Sequence, residues 1–255
     1  MGYENLEKLI ETIRILRSPE GCEWDREQTH KSLRPNMLEE AYEAVDAIDS
    51  GDMSNLKEEL GDVLLQVLLH SQIADDDGEF NIEDVSKELN NKLIHRHPHV
   101  FGNQKVNSTE DILNNWDLLK GEEKKDRKSA MDGISKSQSA LMSAQKISKR
   151  AVKKGFEWPN EKTLWDCIFS ELEEFKSAVK ENNKDNMEDE MGDIFFAIVN
   201  LARWHKIDAE IALLRANKKF MTRFRKMEEL AVKPLEEYSF EEYDALWRKA
   251  KKYSI

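Results

Sequence analysis

Apolar residues recur along this chain at spacings of three and four: Leu6, Leu9, Ile10, Ile13 and Leu16, then Leu38, Tyr42, Val45 and Ile48, then Leu60, Leu64, Val67 and Leu68. That is the period of an amphipathic helix, whereas a half-buried strand alternates every second residue. The ends of the runs carry helix punctuation. Asn36 after Pro35 predicts one helix start, Ser50-Gly51 its end, Asp77-Gly78 the end of the next helix, and Pro98 the stop of another. The pattern predicts an all-α fold.

Sliding the chain against itself uncovers a repeat. At an offset of 131, Glu40, Glu43, Glu59, Gly61 and Asp62 fall on Glu171, Glu174, Glu190, Gly192 and Asp193, and Trp116 and Lys120 fall on Trp247 and Lys251. Gly21, Glu23 and Trp24 match Gly155, Glu157 and Trp158 at offset 134. Shared positions of rare Trp and Gly argue for duplication over chance resemblance between acid-rich helices. The expected organisation is two homologous helical halves, residues 1–125 and 137–255, joined through 126–136, a polar stretch containing Gly133.

The length of 255 residues suits one large or two ordinary domains. With 39 Lys and Arg against 51 Asp and Glu, the formal charge of -12 makes non-specific nucleic-acid binding a poor expectation. Lys120 to Lys154 is a local exception, with eleven basic and four acidic residues, read as a solvated face and connector. The N-terminus lacks a signal-like segment, and no window approaches 18 uninterrupted apolar residues. Cys22 and Cys167 stand apart and outside any zinc-spaced cluster. A cytoplasmic protein with reduced thiols is expected, not membrane-bound.

The repeated residues carry chemistry. Each half has Glu-x-x-Glu on one helix and Glu-x-x-Asp on the next, with fifteen residues between the pairs. Residues three apart share a helix face, so each pair presents two carboxylates side by side. Like charges brought together between helices call for a cation, and hard carboxylate oxygens suit Mg²⁺ with substrate phosphate and water. A solvated acidic face is the alternative, and repetition at fixed spacing weighs against it. Gly61 and Gly192, mid-helix at a cost of roughly 1 kcal/mol each, are expected to admit a close helix neighbour. Leu60, Val63, Leu64 and Val67, with Met191, Ile194, Phe195 and Ile198, are expected to flank the acids as a packed seam.

Other metal sites fit poorly. A ferritin-like di-iron bundle needs Glu-x-x-His, and every pair here ends in Glu or Asp. An EF-hand around Gly78 would begin at Ile73 and end at Asp84, which breaks its ligand pattern. There is no P-loop. His95, His97 and His99, interrupted by Pro98, read as a helix-stop turn. Asn217, Lys219 and Arg223 lie in a stretch, Arg215 to Lys226, with six basic residues and no acid, and Asn90, Lys92 and Arg96 are their first-half equivalents at offset 127. Cations beyond a carboxylate cage suit a metal-bound triphosphate. Pairing with nearby acids is the alternative for them, and a core position the alternative for Trp247 as a base-stacking residue.

These residues together resemble the MazG family of nucleoside triphosphate pyrophosphohydrolases in its two-domain bacterial form. The resemblance rests on Gly21-Cys22-Glu23-Trp24-Asp25, Leu38-Glu39-Glu40-Ala41-Tyr42-Glu43, Glu58-Glu59-Leu60-Gly61-Asp62, His95-Arg96-His97-Pro98-His99-Val100-Phe101, Gly155-Phe156-Glu157-Trp158 and Glu190-Met191-Gly192-Asp193. It implies tandem helical bundles that dimerise and Mg²⁺-dependent hydrolysis of (d)NTPs to the monophosphate and pyrophosphate. It further implies a catalytic C-terminal half, with Glu171, Glu174, Glu190 and Asp193 as metal ligands, Lys219 and Arg223 on substrate phosphates, and Trp247 near the base, while Asn217 joins the substrate-binding candidates through its spacing to Lys219 and Arg223. Glu40, Glu43, Glu59 and Asp62 form a second possible site. The sequence departs from the family pattern at Ser170, where the first half has Glu39. A single stacking residue predicts tolerance of base and sugar, and too few helices per half to close a core predict a homodimer. The rival class is a non-enzymatic helical regulator that binds a partner protein through its acidic faces.

Overall fold

The computed structural model describes residues 2–123 and 128–253, and among them there is no strand. The chain divides into two compact units, Met1–Lys125 and Asp126–Ile255. Residues 126 and 127 of the expected connector lie outside the described residues.

The first unit contains α1 (Glu4–Leu16), α2 (Glu23–Glu27), α3 (Arg34–Ser50), α4 (Met53–Asp76), α5 (Ile82–Arg96), α6 (Pro98–Phe101) and α7 (Thr109–Glu122). Helix α3 begins two residues before the expected Asn36, because Pro35 fits the first turn, where its missing N–H would have had no partner. It ends as predicted at Gly51, whose φ of 73° is the left-handed conformation open to glycine. Asp52 then caps α4 by accepting from the backbone N–H groups of Ser54 and Asn55 at 2.9 and 3.1 Å. So short a turn folds α4 back along α3. Ile13, Leu33, Leu68, Leu69 and Ile73 form the unit's buried cluster.

The second unit contains α8 (Ala140–Val152), α9 (Glu161–Lys180), α10 (Lys184–Trp204), α11 (Ala209–Leu230) and α12 (Phe240–Lys251). Helices α9 and α10 repeat the α3–α4 hairpin, with Asn183 capping α10. Leu164, Ile168 and Ala197 are buried between them, backed by Trp158, Leu201 and Trp204. Met227, Leu246 and Ala250 join α11 to α12. The His95–His99 run is the expected stop: α5 ends at Arg96 and Pro98 opens α6. No helix among the described residues is long and apolar enough to cross a membrane.

Two packing expectations are corrected. A Cβ added at Gly61 or Gly192 would have no atom within 4 Å, so neither glycine accommodates a close helix within this chain. The seam beside the acids is packed only in part: Leu60, Phe195 and Ile198 are 54%, 58% and 45% exposed, while Leu64 packs against the first unit's buried cluster. Burial on these helices is carried by Leu68 and Leu69 on α4 and by Ala197 and Val199 on α10.

Candidate active site

In each unit the helical hairpin converges its carboxylates. Glu171 and Glu174 lie one turn apart on α9, Glu190 faces them from α10, and an oxygen of each lies within 4.8 Å of the other two. Glu40, Glu43 and Glu59 form the same arrangement on α3 and α4. Asp193 and Asp62 fall outside these close triads but act on them electrostatically. Desolvation, followed by the charges of Glu174, Glu171 and Asp193, raises the Glu190 carboxyl above its ordinary value. Glu59 is raised by desolvation and by Glu43 and Asp62, and Glu40 by desolvation and by Asp62 and Glu43. Acids that resist ionising together gain most from a cation placed among them, and an all-oxygen donor set fits Mg²⁺.

The halves differ in what holds the acids. Ser170 Oγ donates to Glu174 Oε1 at 2.9 Å, and Cys167 Sγ donates to Glu171 Oε1 at 3.6 Å. The residue that breaks the family pattern thus orients a neighbouring carboxylate. Burial and the bond to Glu171 push the Cys167 thiol up, keeping it a protonated donor. The cationic residues differ as well. Arg96 is engaged by Glu123, with Nε to Oε1 at 3.0 Å and a second bond from Nη2 to Oε2. Its equivalent Arg223 instead lies 5.7 Å over the ring of Trp247, and its buried Nε has no hydrogen-bond partner among the described residues.

Asn217, Lys219 and Arg223 are carried by α11, which packs chiefly on α12. Trp247 is half-buried there, 5.3 Å from Phe220, at the edge of the α11–α12 core. Sequence reasoning missed the pocket beside the acids. It has a volume of about 550 Å³, and Glu171 and Asp193 stand at its border among largely apolar walls that include Met131, Ala151, Phe156 and Trp158. Two long-range contacts hold those walls. Arg203 grips Glu157 through its two terminal guanidinium nitrogens at 2.7 and 2.6 Å, fixing the loop of Phe156 and Trp158. Arg150 Nη1 donates to the carbonyls of Ala130 and Asp132 at 2.9 and 2.7 Å, tying the connector to α8. The only sequence trace of this construction is the repeat of Glu157 and Trp158 on Glu23 and Trp24. Trp24 is 57% exposed, whereas Trp158 packs on the core.

The MazG nucleotide pyrophosphohydrolase domain matches twice, at residues 28–101 and 160–227, each covering one carboxylate hairpin. A "Nucleoside triphosphate pyrophosphohydrolase/pyrophosphatase MazG" of Thermotoga maritima is 47% identical over 96% of this chain and 95% of its own length. A "Nucleoside triphosphate pyrophosphohydrolase" of Escherichia coli K12 is 40% identical over 98% of both chains. The Bacillus subtilis protein YabN is 45% identical over 98% of this chain and 52% of its own length. Two family domains, each centred on a carboxylate triad, and full-length relatives of the same kind lead to one assignment: this chain belongs to the MazG nucleotide pyrophosphohydrolase family.

Proposed function

We propose that this chain is a nucleoside triphosphate pyrophosphohydrolase, converting (d)NTPs to the monophosphate and pyrophosphate, with its active site in the second half. The observation that carries this reading is the acidic triad of Glu171, Glu174 and Glu190, oriented by Ser170 and Cys167 and bordered by a pocket large enough for a nucleoside. Glu171, Glu174, Glu190 and Asp193 would hold Mg²⁺, and Glu40, Glu43, Glu59 and Asp62 are the second possible metal site. When bound, Mg²⁺ supplies positive charge that neutralises the phosphate oxygens and makes the phosphorus more electrophilic. The carboxylates orient the attacking water and accept its proton, with cleavage between the α- and β-phosphates.

Asn217, Lys219 and Arg223 bind the phosphates. The unpartnered Nε of Arg223 supports this role, since a phosphate oxygen is the acceptor it lacks. Trp247 belongs to the substrate-binding set through its contact with that guanidinium. In the first half, Arg96 is already spent on Glu123, which favours the second half as the catalytic one. The domain division is 1–125 and 137–255 about the 126–136 connector. The protein is a homodimer: Phe169, Leu172, Phe195 and Ile198 form an exposed apolar face on α9 and α10 that a second copy would cover. Light scattering at micromolar concentration checks the dimer, and a monomeric mass refutes it. Incubation with each NTP and Mg²⁺ checks the activity. Release of inorganic phosphate in place of monophosphate and pyrophosphate, or no turnover of any nucleotide, refutes it.

A further inference from the structure

We infer that the pocket beside Glu171 and Asp193 holds the nucleobase, and that Arg150 is a positioning residue that builds one of its walls by pinning the connector at Ala130 and Asp132. The inference rests on the hydrolase reading and places the base elsewhere than on Trp247.

The chemistry of the walls selects the occupant. Apart from Lys154 at the rim, the lining offers no positive charge, while two carboxylates stand at one border. A triphosphate would therefore be repelled from the interior, whereas a flat neutral ring gains the apolar surface of Met131, Phe156 and Trp158. The carboxylate border then coincides with the metal and phosphate end of the same ligand. The polar side chains here are bonded within the protein: Ser148 Oγ donates to Asn200 Oδ1 at 2.6 Å, and Asn200 Nδ2 donates to the Phe196 carbonyl at 2.9 Å. With these groups paired to each other, no base edge is required to complete them, so the pocket selects by shape and is tolerant among bases.

Arg150 matters because it ties the connector to α8 at two backbone carbonyls beside this wall. Asp132 Oδ2 accepts from the backbone N–H groups of Lys128 and Ser129, each at 2.9 Å, closing a turn on itself. The Arg150 bonds then dock that turn on α8, with Ala130 and Met131 against the cavity. The segment joining the two halves is in this way part of the second half's substrate site.

The test uses the full-length protein and three probes. Ala130→Trp, which fills the pocket from the connector, is expected to raise KM for every nucleoside triphosphate about tenfold while kcat moves less than about threefold. Inhibition by tripolyphosphate, which has no base, is expected to stay at its wild-type strength. Arg150→Ala is expected to raise KM in the same selective way, with Arg150→Lys intermediate because a shorter ammonium replaces the guanidinium fork. Independently of turnover, excess free nucleoside is expected to slow alkylation of Cys167, which lines the pocket, and to leave Cys22 unaffected. Unchanged KM in both Ala130→Trp and Arg150→Ala, or weakening of tripolyphosphate in step with nucleotides, overturns the assignment. So does a rise in KM confined to Trp247→Ala. If Ala130→Trp does not fold, the Arg150 variants and the Cys167 protection decide. Wild-type protein that turns over no nucleotide overturns the hydrolase reading, a separate result, and nucleoside protection of Cys167 still reports on the pocket.

Discussion

Glu157→Gln removes one charge from the pair that holds the pocket loop while keeping the side-chain shape. The Arg203 and Glu157 side chains are 10% and 31% exposed, and they meet at 2.6 and 2.7 Å. An exposed pair is worth at most about 1 kcal/mol, and breaking a fully buried one costs about 3–5 kcal/mol. The intermediate burial, together with the single good acceptor that Gln retains, puts the expected loss at about 2 kcal/mol. Since a unit of about 130 residues unfolds with an entropy near 0.27 kcal/mol/K, its melting temperature should fall by about 7 °C. The pH dependence follows from the carboxyl itself. Burial pushes Glu157 up, but the Arg203 bonds and the Trp158 backbone N–H hold it below its ordinary value. A depressed folded-state value means that the stabilisation is complete above the unfolded value, about 4.3, and is lost as pH falls through the folded one. Calorimetry should therefore show the full deficit at pH 7 and a shrinking one below about pH 4. Because the loop carries Phe156 and Trp158, KM for nucleotides should rise too. A melting temperature within about 2 °C of wild type at pH 7, or a deficit that persists unchanged into acid, would refute the argument that this pair is buried enough to matter.

Glu190→Gln should lower turnover by about 10²–10³-fold, as the loss of a charge-assisted contact in a preorganised site does, while Glu59→Gln keeps most activity; the opposite ranking in steady-state kinetics moves the active site to the first half. Mg²⁺ should raise the melting temperature at neutral pH, and the increment should shrink on acidification, because carboxyls such as Glu190 and Glu59 with raised folded-state values bind protons there and relieve their own repulsion. A metal effect that grows as pH falls would contradict the carboxylate site. Gly21→Ala should destabilise the first unit by about 3 kcal/mol, since the added Cβ would stand 2.2 Å from the Ile15 carbonyl oxygen and 2.3 Å from that of Leu16, both backbone atoms; an unchanged thermal transition would show that the turn can shift at little cost. Gly192→Ala, which meets open space, should instead stabilise an isolated unit by roughly 1 kcal/mol, and a loss of stability by calorimetry would show that a partner's backbone occupies that space.

What the amino-acid sequence settled unaided is whatever depends on neighbours along the chain. Helical periodicity placed Glu171 beside Glu174 and Glu40 beside Glu43, because residues three apart share a helix face whatever the tertiary fold. The turn signals at Gly51, Gly78 and Pro98 were legible for the same reason, being local backbone chemistry. Repetition then brought Glu59 and Glu190 into the same cages, since two copies of one hairpin close alike. Tertiary structure decided the rest. The pocket draws its walls from the connector, α8, the following loop, α9 and α10, and its braces join Arg203 to Glu157 and Arg150 to Ala130 across 46 and 20 residues, separations that no period encodes. Ser170 read as a missing acid becomes, in three dimensions, the hydroxyl that orients Glu174. Gly192 and Phe195 suggested close packing by composition, yet a helix has several faces, and which one is buried depends on where the other helices lie.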